Sequence, residues 1–480
     1  MRLSELISGI DSCIFEGNDV DIKHITYNSK DVIEGSLFIC IEGFKADGHH
    51  FAQEAVDRGA KALIISKDIN INGDVTLVKV NDTRKAMAII ASNFYKKPAE
   101  KMKIIGITGT NGKTTSTFMM KSILEAYGQK IGLIGTIYNI IGDKIIEAKR
   151  TTPESLDLQC LFKEMADNNC TYCVMEVSSH SLELDRVYGI DFEVGIFTNL
   201  TQDHLDFHKT MENYFKAKLK LFDRAKNAII NIDDDYGKEA LRYVKGNILK
   251  YGIDSVADVY AKDITMSDEG TKFKLCYDSN EIEVNLHLPG KYNVYNALGC
   301  AAAALSLGID INTIKKGLED LKAVPGRSER IKAKQGFTVI IDYAHTPDGI
   351  ENILKASREY TKGRLIILFG AGGDRDKTKR PLMGKAAGTF ADYCIITSDN
   401  PRNEEPEKII QDIIPGVEKT GCPYKIIVDR KEAIKYALMN AKKDDVIVIA
   451  GKGHETYQIL KDKTVHFDEK EIVNELLQEI

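Results

Sequence analysis

Short apolar runs alternate along the chain with longer stretches in which apolar residues recur every three or four positions. The first pattern predicts buried strands and the second predicts helices between them. Over residues 1–98 the strands fall at 36–41, 62–65 and 75–80. The polar segment Lys96-Lys97-Pro98-Ala99-Glu100-Lys101 then reads as a linker. From 103 onward, strands at 104–108, 172–177, 194–200 and 228–232 are separated by helical stretches, which predicts a parallel sheet covered on both faces. A second series follows Val324-Pro325-Gly326-Arg327, with strands at 338–341, 365–369, 393–397, 425–428 and 446–450. The pattern predicts an α/β protein of three domains, 1–98, 99–328 and 329–480, without internal repeats. Sites in such sheets form at the carboxyl ends of the strands, so the residues just after each strand are the candidates.

Composition narrows the class. A chain of 480 residues, 43% hydrophobic and 28% charged, has ample material for several cores. Its net charge of −6 argues against a general nucleic-acid binder. No run approaches the ~20 apolar residues of a membrane span, and the alanine-rich stretch at 299–309 reads as a buried helix. The first residues lack the apolar core and small-residue cleavage site of a secretory signal. The 9 cysteines are scattered, which fits a reducing cytoplasm.

The strand at 104–108 leads into Gly109-Thr110-Asn111-Gly112-Lys113-Thr114-Thr115 and then a helical run. A glycine-rich turn between strand and helix aims backbone N–H groups at a phosphate, and the helix N-terminus adds positive potential. Lys113 is placed to reach β- and γ-phosphates, and the Thr114 hydroxyl to bind Mg²⁺. The usual pattern wants glycine where Ile107 stands, so the loop is a variant. ATP and Mg²⁺ follow from it. Glu176 and His204 stand near the ends of the next two strands, in Glu176-Val177-Ser178-Ser179-His180 and Asn199-Leu200-Thr201-Gln202-Asp203-His204, where metal ligands would sit. On a helix, Tyr214, Phe215, Leu219, Leu221 and Phe222 share one face with Lys218 near its middle, and Lys216 and Lys220 fall opposite. A buried ammonium is costly, so Lys218 either snorkels to water or is neutralised or paired.

Two other patterns carry less. Gly370-Ala371-Gly372-Gly373-Asp374-Arg375 has arginine where a dinucleotide fingerprint wants glycine or alanine, and its acidic residues would repel a pyrophosphate. Cys170 and Cys173 lack a second pair nearby, so inert packing is the better reading. A nucleotide-dependent switch would share the phosphate loop but leaves the charged loops of the third domain without a purpose.

The loop Gly109–Thr115, the Glu-Val-Ser-Ser-His run and the Asn-Leu-Thr-x-Asp-His-Leu run together resemble the Mur ligases, ATP-dependent enzymes of peptidoglycan precursor synthesis. The resemblance covers essentially the whole chain and is nearest the MurE type, which adds the third amino acid of the stem peptide. It implies an N-terminal uridine-nucleotide domain, a central phosphate-loop ATPase domain and a C-terminal Rossmann-like domain. It further implies ATP contacts at Asn296, Arg327, Asp342 and His345. Mg²⁺ ligands are implied at Thr114, Glu176, His204 and Lys218, the last as a carbamate derived from carbon dioxide. The UDP-N-acetylmuramoyl-dipeptide would meet Thr26–Lys30 with Ser29 foremost, the run 41–48, Thr151, Thr152, Ser178 and Arg186.

In the same family Asp399-Asn400-Pro401-Arg402, with Arg375, Gly451 and Glu455, resembles the site of members that add meso-diaminopimelate. A lysine-adding relative and a folylpolyglutamate-synthetase-like ligase are the alternatives. The latter usually has serine where Thr115 stands. The implied enzyme is a cytoplasmic monomer with Lys113, Lys218 and His204 as catalytic residues, small-molecule substrates, no nucleic-acid partner and no membrane span.

Overall fold

A computed structural model describes residues 1–43 and 46–479. The chain divides into two compact units, Met1–Gly106 with Gln129–Gly195 and Lys220–Lys226, and Ile107–Gly128 with Ile196–Leu219 and Asn227–Ile480.

The first unit contains a five-stranded sheet in the order Ile14–Glu16, Thr76–Lys79, Ala60–Ile65, Ser36–Ile39, His24–Thr26, parallel except for the first strand. Strands Ser36–Ile39 and Ala60–Ile65 are buried nearly throughout, because Leu3, Leu6, Met87 and Ile90 pack on one face and Val32, Ala52 and Ala55 on the other. Helix Thr83–Phe94 starts where the Asp82 side chain accepts hydrogen bonds from the Arg84 and Lys85 amides. The expected linker is a tight turn: Lys96 and Lys97 take left-handed backbone, and a 3₁₀ turn follows at Pro98–Lys101. This unit also holds Tyr172–Glu176 parallel to Ile131–Ile134, which continues antiparallel into Tyr138–Ile141 and Lys144–Glu147.

Strands Lys103–Thr108 and Phe192–Phe197 begin in the first unit and end in the second. In the second unit Asn247–Gly252 lies parallel to Ala225–Asn231 and to Val259–Ser267, and Gly270–Tyr277 and Asn280–Leu286 complete an antiparallel meander. The reading of a wholly parallel central sheet therefore needs correcting at its ends. The added strands alternate buried apolar residues with exposed Lys262, Lys272 and Glu281, a half-solvated pattern that antiparallel hairpins tolerate and parallel strands do not. Asp278 and Ser279, both at positive φ, form the two-residue turn between them. Helix Lys113–Ala126 packs on Ile311–Asp320, where a Cβ on Gly317 would lie 2.4 Å from Ile123 Cα. Helix Lys291–Ser306 contains the alanine-rich run, and Cys300 to Ala304 are wholly buried.

The same unit ends in a six-stranded sheet, ordered Glu329–Lys332, Thr338–Asp342, Val446–Ala450, Leu365–Phe369, Tyr393–Ile396, Tyr424–Ile426, with only the first strand antiparallel. Helices Pro347–Arg358, Arg380–Phe390 and Pro406–Glu418 cover one face. Helices Arg430–Met439 and Glu469–Glu479 cover the other. Strands at 365–369 and 446–450 coincide with the expected spans, because both are continuous Leu/Ile/Val-rich runs buried on two faces. Among the described residues no helix is long and apolar enough to cross a membrane.

Candidate active site

Strand Lys103–Thr108 delivers the chain to a turn that only glycine fits at two points. A Cβ on Gly109 would lie 1.8 Å from Thr198 Oγ1, and one on Gly112 would lie 2.3 Å from Asn296 Oδ1. Both glycines have positive φ. Ile107, the departure from the usual loop, is a buried strand residue, so the variant moves a glycine out of the sheet without opening the loop. Lys113 Nζ donates to the carbonyls of Gly109 and Thr110, both at 2.9 Å, and Lys218 Nζ donates to the same Gly109 carbonyl at 2.8 Å. Arg327 donates to Thr114 Oγ1 at 3.0 Å, and Asn111 donates to Asp348 at 2.6 Å. Asn296 lies against Gly112 and donates to Asn293 Oδ1 at 3.2 Å. Asp342 accepts from the Ser328 and Ala344 amides at 2.7 and 2.8 Å, which orients its carboxylate. Burial pushes that carboxyl up despite the opposing Arg327 charge.

Helix Met211–Leu219 buries Tyr214, Phe215 and Lys218 and exposes Lys216, and Lys220, in the 3₁₀ turn that follows, is exposed too, as the periodicity predicted. Lys218 is 1% exposed, with Nζ 4.4 Å from the Tyr214 ring centroid. Burial, reinforced by the neighbouring Lys113 charge, pushes its amine well below the ordinary lysine range against the pull of Asp203. Snorkelling is thereby replaced by full burial. Asp203 is itself buried, a state that disfavours its charge. His204, Lys379 and His345 outweigh burial and hold its carboxyl well below the usual range. Lys379 lies 2.9 Å from it, His204 3.4 Å and His345 3.7 Å. His204 caps helix Leu205–His208 in left-handed backbone at φ 55°.

Within the first unit, Glu176 ends its strand and accepts from the Thr136 amide at 2.8 Å and hydroxyl at 3.0 Å. The Thr136 and Thr151 hydroxyls lie 3.0 Å apart. Thr152 donates to the Glu176 carbonyl at 2.9 Å with its hydroxyl oxygen 3.2 Å from Ser178 Oγ, and Arg186 donates to the Thr152 carbonyl at 3.1 Å. Four of the expected substrate residues thus form one hydrogen-bonded group around Glu176. Ser29 is buried separately, with its hydroxyl on Glu54 at 3.2 Å. Of the run 41–48, Phe44 and Lys45 lie outside the described residues.

The carboxyl ends of the last sheet bring the remaining candidates together. Asn400 Nδ2 donates to Glu455 Oε2 at 2.8 Å, and a Cβ on Gly451 would lie 2.8 Å from Asp399 Oδ2. Arg402, at φ 54° just after Pro401, donates to the Gly373 carbonyl at 2.8 Å. Burial and the like charge of Arg375 disfavour its guanidinium, while Asp399 and Glu455 favour it. Two guanidiniums and two carboxylates therefore converge. Asp399 Oδ1 is buried without a hydrogen-bond partner among the described residues.

Comparison with known proteins follows this geometry. The chain matches the Mur ligase family catalytic domain over residues 21–95, the Mur ligase middle domain over 107–304 and the Mur ligase glutamate ligase domain over 326–453. It is 56% identical to a UDP-N-acetylmuramoyl-L-alanyl-D-glutamate–2,6-diaminopimelate ligase of Clostridium acetobutylicum, covering 100% of both chains. The chain belongs to the Mur ligase family. A solved structure of a 2,6-diaminopimelate ligase is similar at 32% identity, with a TM-score of 0.67 and 95% of each chain covered. A MurF from Acinetobacter baumannii shares the fold at 19% identity and a TM-score of 0.70, over 99% of this chain and 98% of that one.

In this Mur ligase the glycines of the 370–375 run serve loop packing. A Cβ on Gly373 would lie 1.9 Å from the Pro401 carbonyl, so the run is the bed of the 399–402 loop and not a pyrophosphate turn. Cys170 and Cys173 are both buried, and burial pushes both thiols up, which suits inert packing. The implied magnesium ions call for hard oxygen donors. The Glu176 carboxylate and the Thr114 hydroxyl fit that requirement and an unmodified Lys218 amine does not. Two groups escaped the sequence reading: Lys452, wholly buried beside Asn400, and His454, whose imidazole is pushed down to about 3 by burial and by Arg327. Lys452 follows a strand directly, the one signal that could have found it.

A buried brace supports the same loops. Arg380 is 1% exposed and donates to both Glu404 oxygens, at 2.8 and 3.0 Å, and to the Gly372 carbonyl at 3.3 Å. Glu404 also accepts from the Asp374 amide at 2.7 Å. Arg380 chiefly holds the Glu404 carboxyl down at about 2, against an ordinary 4.5. Because the folded value is depressed, its stabilisation is complete above pH 4.5 and is lost as the pH falls through 2. Glu404→Gln is expected to cost about 2 kcal/mol at pH 7, because Arg380 loses its two-point carboxylate partner and keeps only Asp412, at 2.8 Å. The difference from wild type in thermal midpoint should narrow below pH 4.5. A difference independent of pH would refute the assignment.

Proposed function

We propose that this chain is the ATP-dependent ligase that joins meso-diaminopimelate to the D-glutamyl γ-carboxylate of UDP-N-acetylmuramoyl-L-alanyl-D-glutamate. The observation that carries the reading is the convergence of Arg375 and Arg402 with Asp399 and Glu455 at the strand ends of the last sheet. That pattern suits an amino acid with ammonium groups and a distal carboxylate, since a guanidinium binds a carboxylate in two-point fashion. The names of the relatives support the same substrate. Residues 1–98 would bind the uridine nucleotide, 99–328 ATP, and 329–480 the amino acid. The enzyme would act as a cytoplasmic monomer.

A carboxylate is a poor acyl donor because oxide would have to leave. Transfer of the ATP γ-phosphoryl group to the carboxylate gives an acyl phosphate and ADP. The amine then forms the amide and releases phosphate and a proton. The phosphate-loop amides of 109–115 would hold the β- and γ-phosphates, with Lys113 offsetting charge on the transferring group and Arg327 reaching the phosphates beside Thr114. Asn296 would face adenine, Asp342 would accept the ribose hydroxyls, and His345 would stand near the phosphates. Thr151, Thr152, Ser178 and Arg186 would bind the muramoyl-dipeptide and Ser29 its uridine end. Mg²⁺ held by Thr114, Glu176, His204 and Lys218 would supply Lewis-acid stabilisation of phosphoryl oxygens. Lys218 would join that set as a carbamate: its depressed basicity favours the uncharged amine, which carbon dioxide captures with loss of a proton. Conversion would turn a buried amine beside Lys113 into an anion.

The test is ADP release with the UDP-muramoyl-dipeptide and a panel of amino acids. Release dependent on meso-diaminopimelate is expected. Equal use of L-lysine would replace the amine, and glutamate-dependent release with a folate acceptor would favour the folylpolyglutamate-type reading. No ADP under any combination overturns the ligase reading.

A further inference from the structure

Lys452 is 0% exposed and lies in the turn Gly451-Lys452-Gly453, directly after strand Val446–Ala450. Its Nζ donates to Asn400 Oδ1 at 3.1 Å and to Glu455 Oε2 at 3.0 Å, and lies 3.7 Å from Asp399 Oδ1. A lysine buried this completely is costly unless its charge is used. Here it touches three of the side chains that the proposed amine site requires. We propose that Lys452 is the positioning residue of the amino-acid site, acting on the amine through Asn400, Glu455 and Asp399; this rests on the reading of that site given above.

Two physical effects follow from the geometry. The first is orientation. Asn400 Oδ1 accepts from Lys452 and also from the Ile459 amide at 2.9 Å, so its amide cannot turn over, and its NH₂ is committed to Glu455 at 2.8 Å. Loss of Lys452 removes one of the two donors that fix this orientation. The second is charge. Asp399 and Glu455 bring two carboxylates into a buried space, and Lys452 offsets one of them. Without Lys452 the two carboxylates lose the cation they share and repel each other, which displaces an acceptor for the amine. Arg430 supports the frame from behind, donating to the carbonyls of Ser398 at 3.2 Å and Ala450 at 2.8 Å, so the backbone of both loops is held independently of Lys452.

The expected signature is selective. In full-length enzyme, Lys452→Met should raise KM for meso-diaminopimelate by about 10²-fold, the scale of a misplaced contact in a site. KM for ATP and for the UDP-muramoyl-dipeptide should stay within about twofold of wild type. If Lys452→Met does not fold by circular dichroism, Lys452→Gln is measured in the same way, because it keeps a donor toward Asn400 and removes the charge. A folded variant in which all three KM values rise together, or in which none rises, overturns the proposal. Wild-type enzyme that releases no ADP with meso-diaminopimelate overturns the underlying reading of the site instead.

Discussion

Lys113→Ala is expected to lower ATP-dependent turnover by on the order of 10³-fold or more while leaving the fold intact. The structure separates the two effects. Lys113 Nζ bonds the loop carbonyls of Gly109 and Thr110, and the side chain fills no core. The helix it opens is held elsewhere, by the buried Thr114–Met120 stretch and by the close approach at Gly317. Removing the amine would take positive charge from the place where, on the proposed reading, the γ-phosphoryl group passes, an interaction worth most as charge shifts in the transition state. Lys113→Arg should restore little, since a planar fork does not replace a compact ammonium inside a tight loop. Single-turnover ADP formation and the thermal midpoint check this together. Retained turnover, or a collapsed midpoint, would count against Lys113 as a phosphate ligand.

Arg402→Ala should lower kcat/KM for meso-diaminopimelate by about 10³- to 10⁴-fold and narrow its advantage over L-lysine to about tenfold. L-Lysine lacks the distal carboxylate, so it has no contact with Arg402 to lose. In the proposed site it would leave the guanidinium without a carboxylate partner, so steep discrimination against it is expected. The backbone at Arg402 is left-handed with φ 54°, and alanine replaces one side chain with a Cβ by another, so backbone strain is not relieved or added. The side-chain bonds of Asn400 and Lys452 to Glu455 do not use its guanidinium, which donates instead to the Gly373 and Asn400 carbonyls. Competition between the two amino acids at fixed ATP measures the ratio directly. An unchanged ratio would remove Arg402 from the specificity pocket.

The elements legible in the sequence share a cause. The phosphate loop, the buried strands at 365–369 and 446–450 and the alanine-rich helix are all local: spacing, glycine and continuous apolar runs determine them within a dozen residues. Lys218 was legible for the same reason, because helical periodicity places it among Tyr214, Phe215 and Leu219 regardless of what packs there. The antiparallel hairpins beyond Val259–Ser267 were missed because their apolar positions alternate with charge over short spans, a pattern that solvent-facing loops also show.

What only the tertiary structure decided is which side chains meet. Lys113 and Lys218 are 105 positions apart and share one carbonyl, that of Gly109. Beside its own neighbour His204, Asp203 gathers His345 and Lys379 from two distant segments, and their combined charge outweighs its burial. Lys452 reads locally as one more charged residue in a turn. It becomes a candidate for function only when strand order puts Val446–Ala450 in the same sheet as Tyr393–Ile396, bringing Asn400 within reach. The sequence by itself determined the local backbone, because short-range sterics and hydrophobic period act along the chain. Charge compensation acts through space at a few ångströms, so the pairing of buried cations with their acceptors was settled by sheet topology alone.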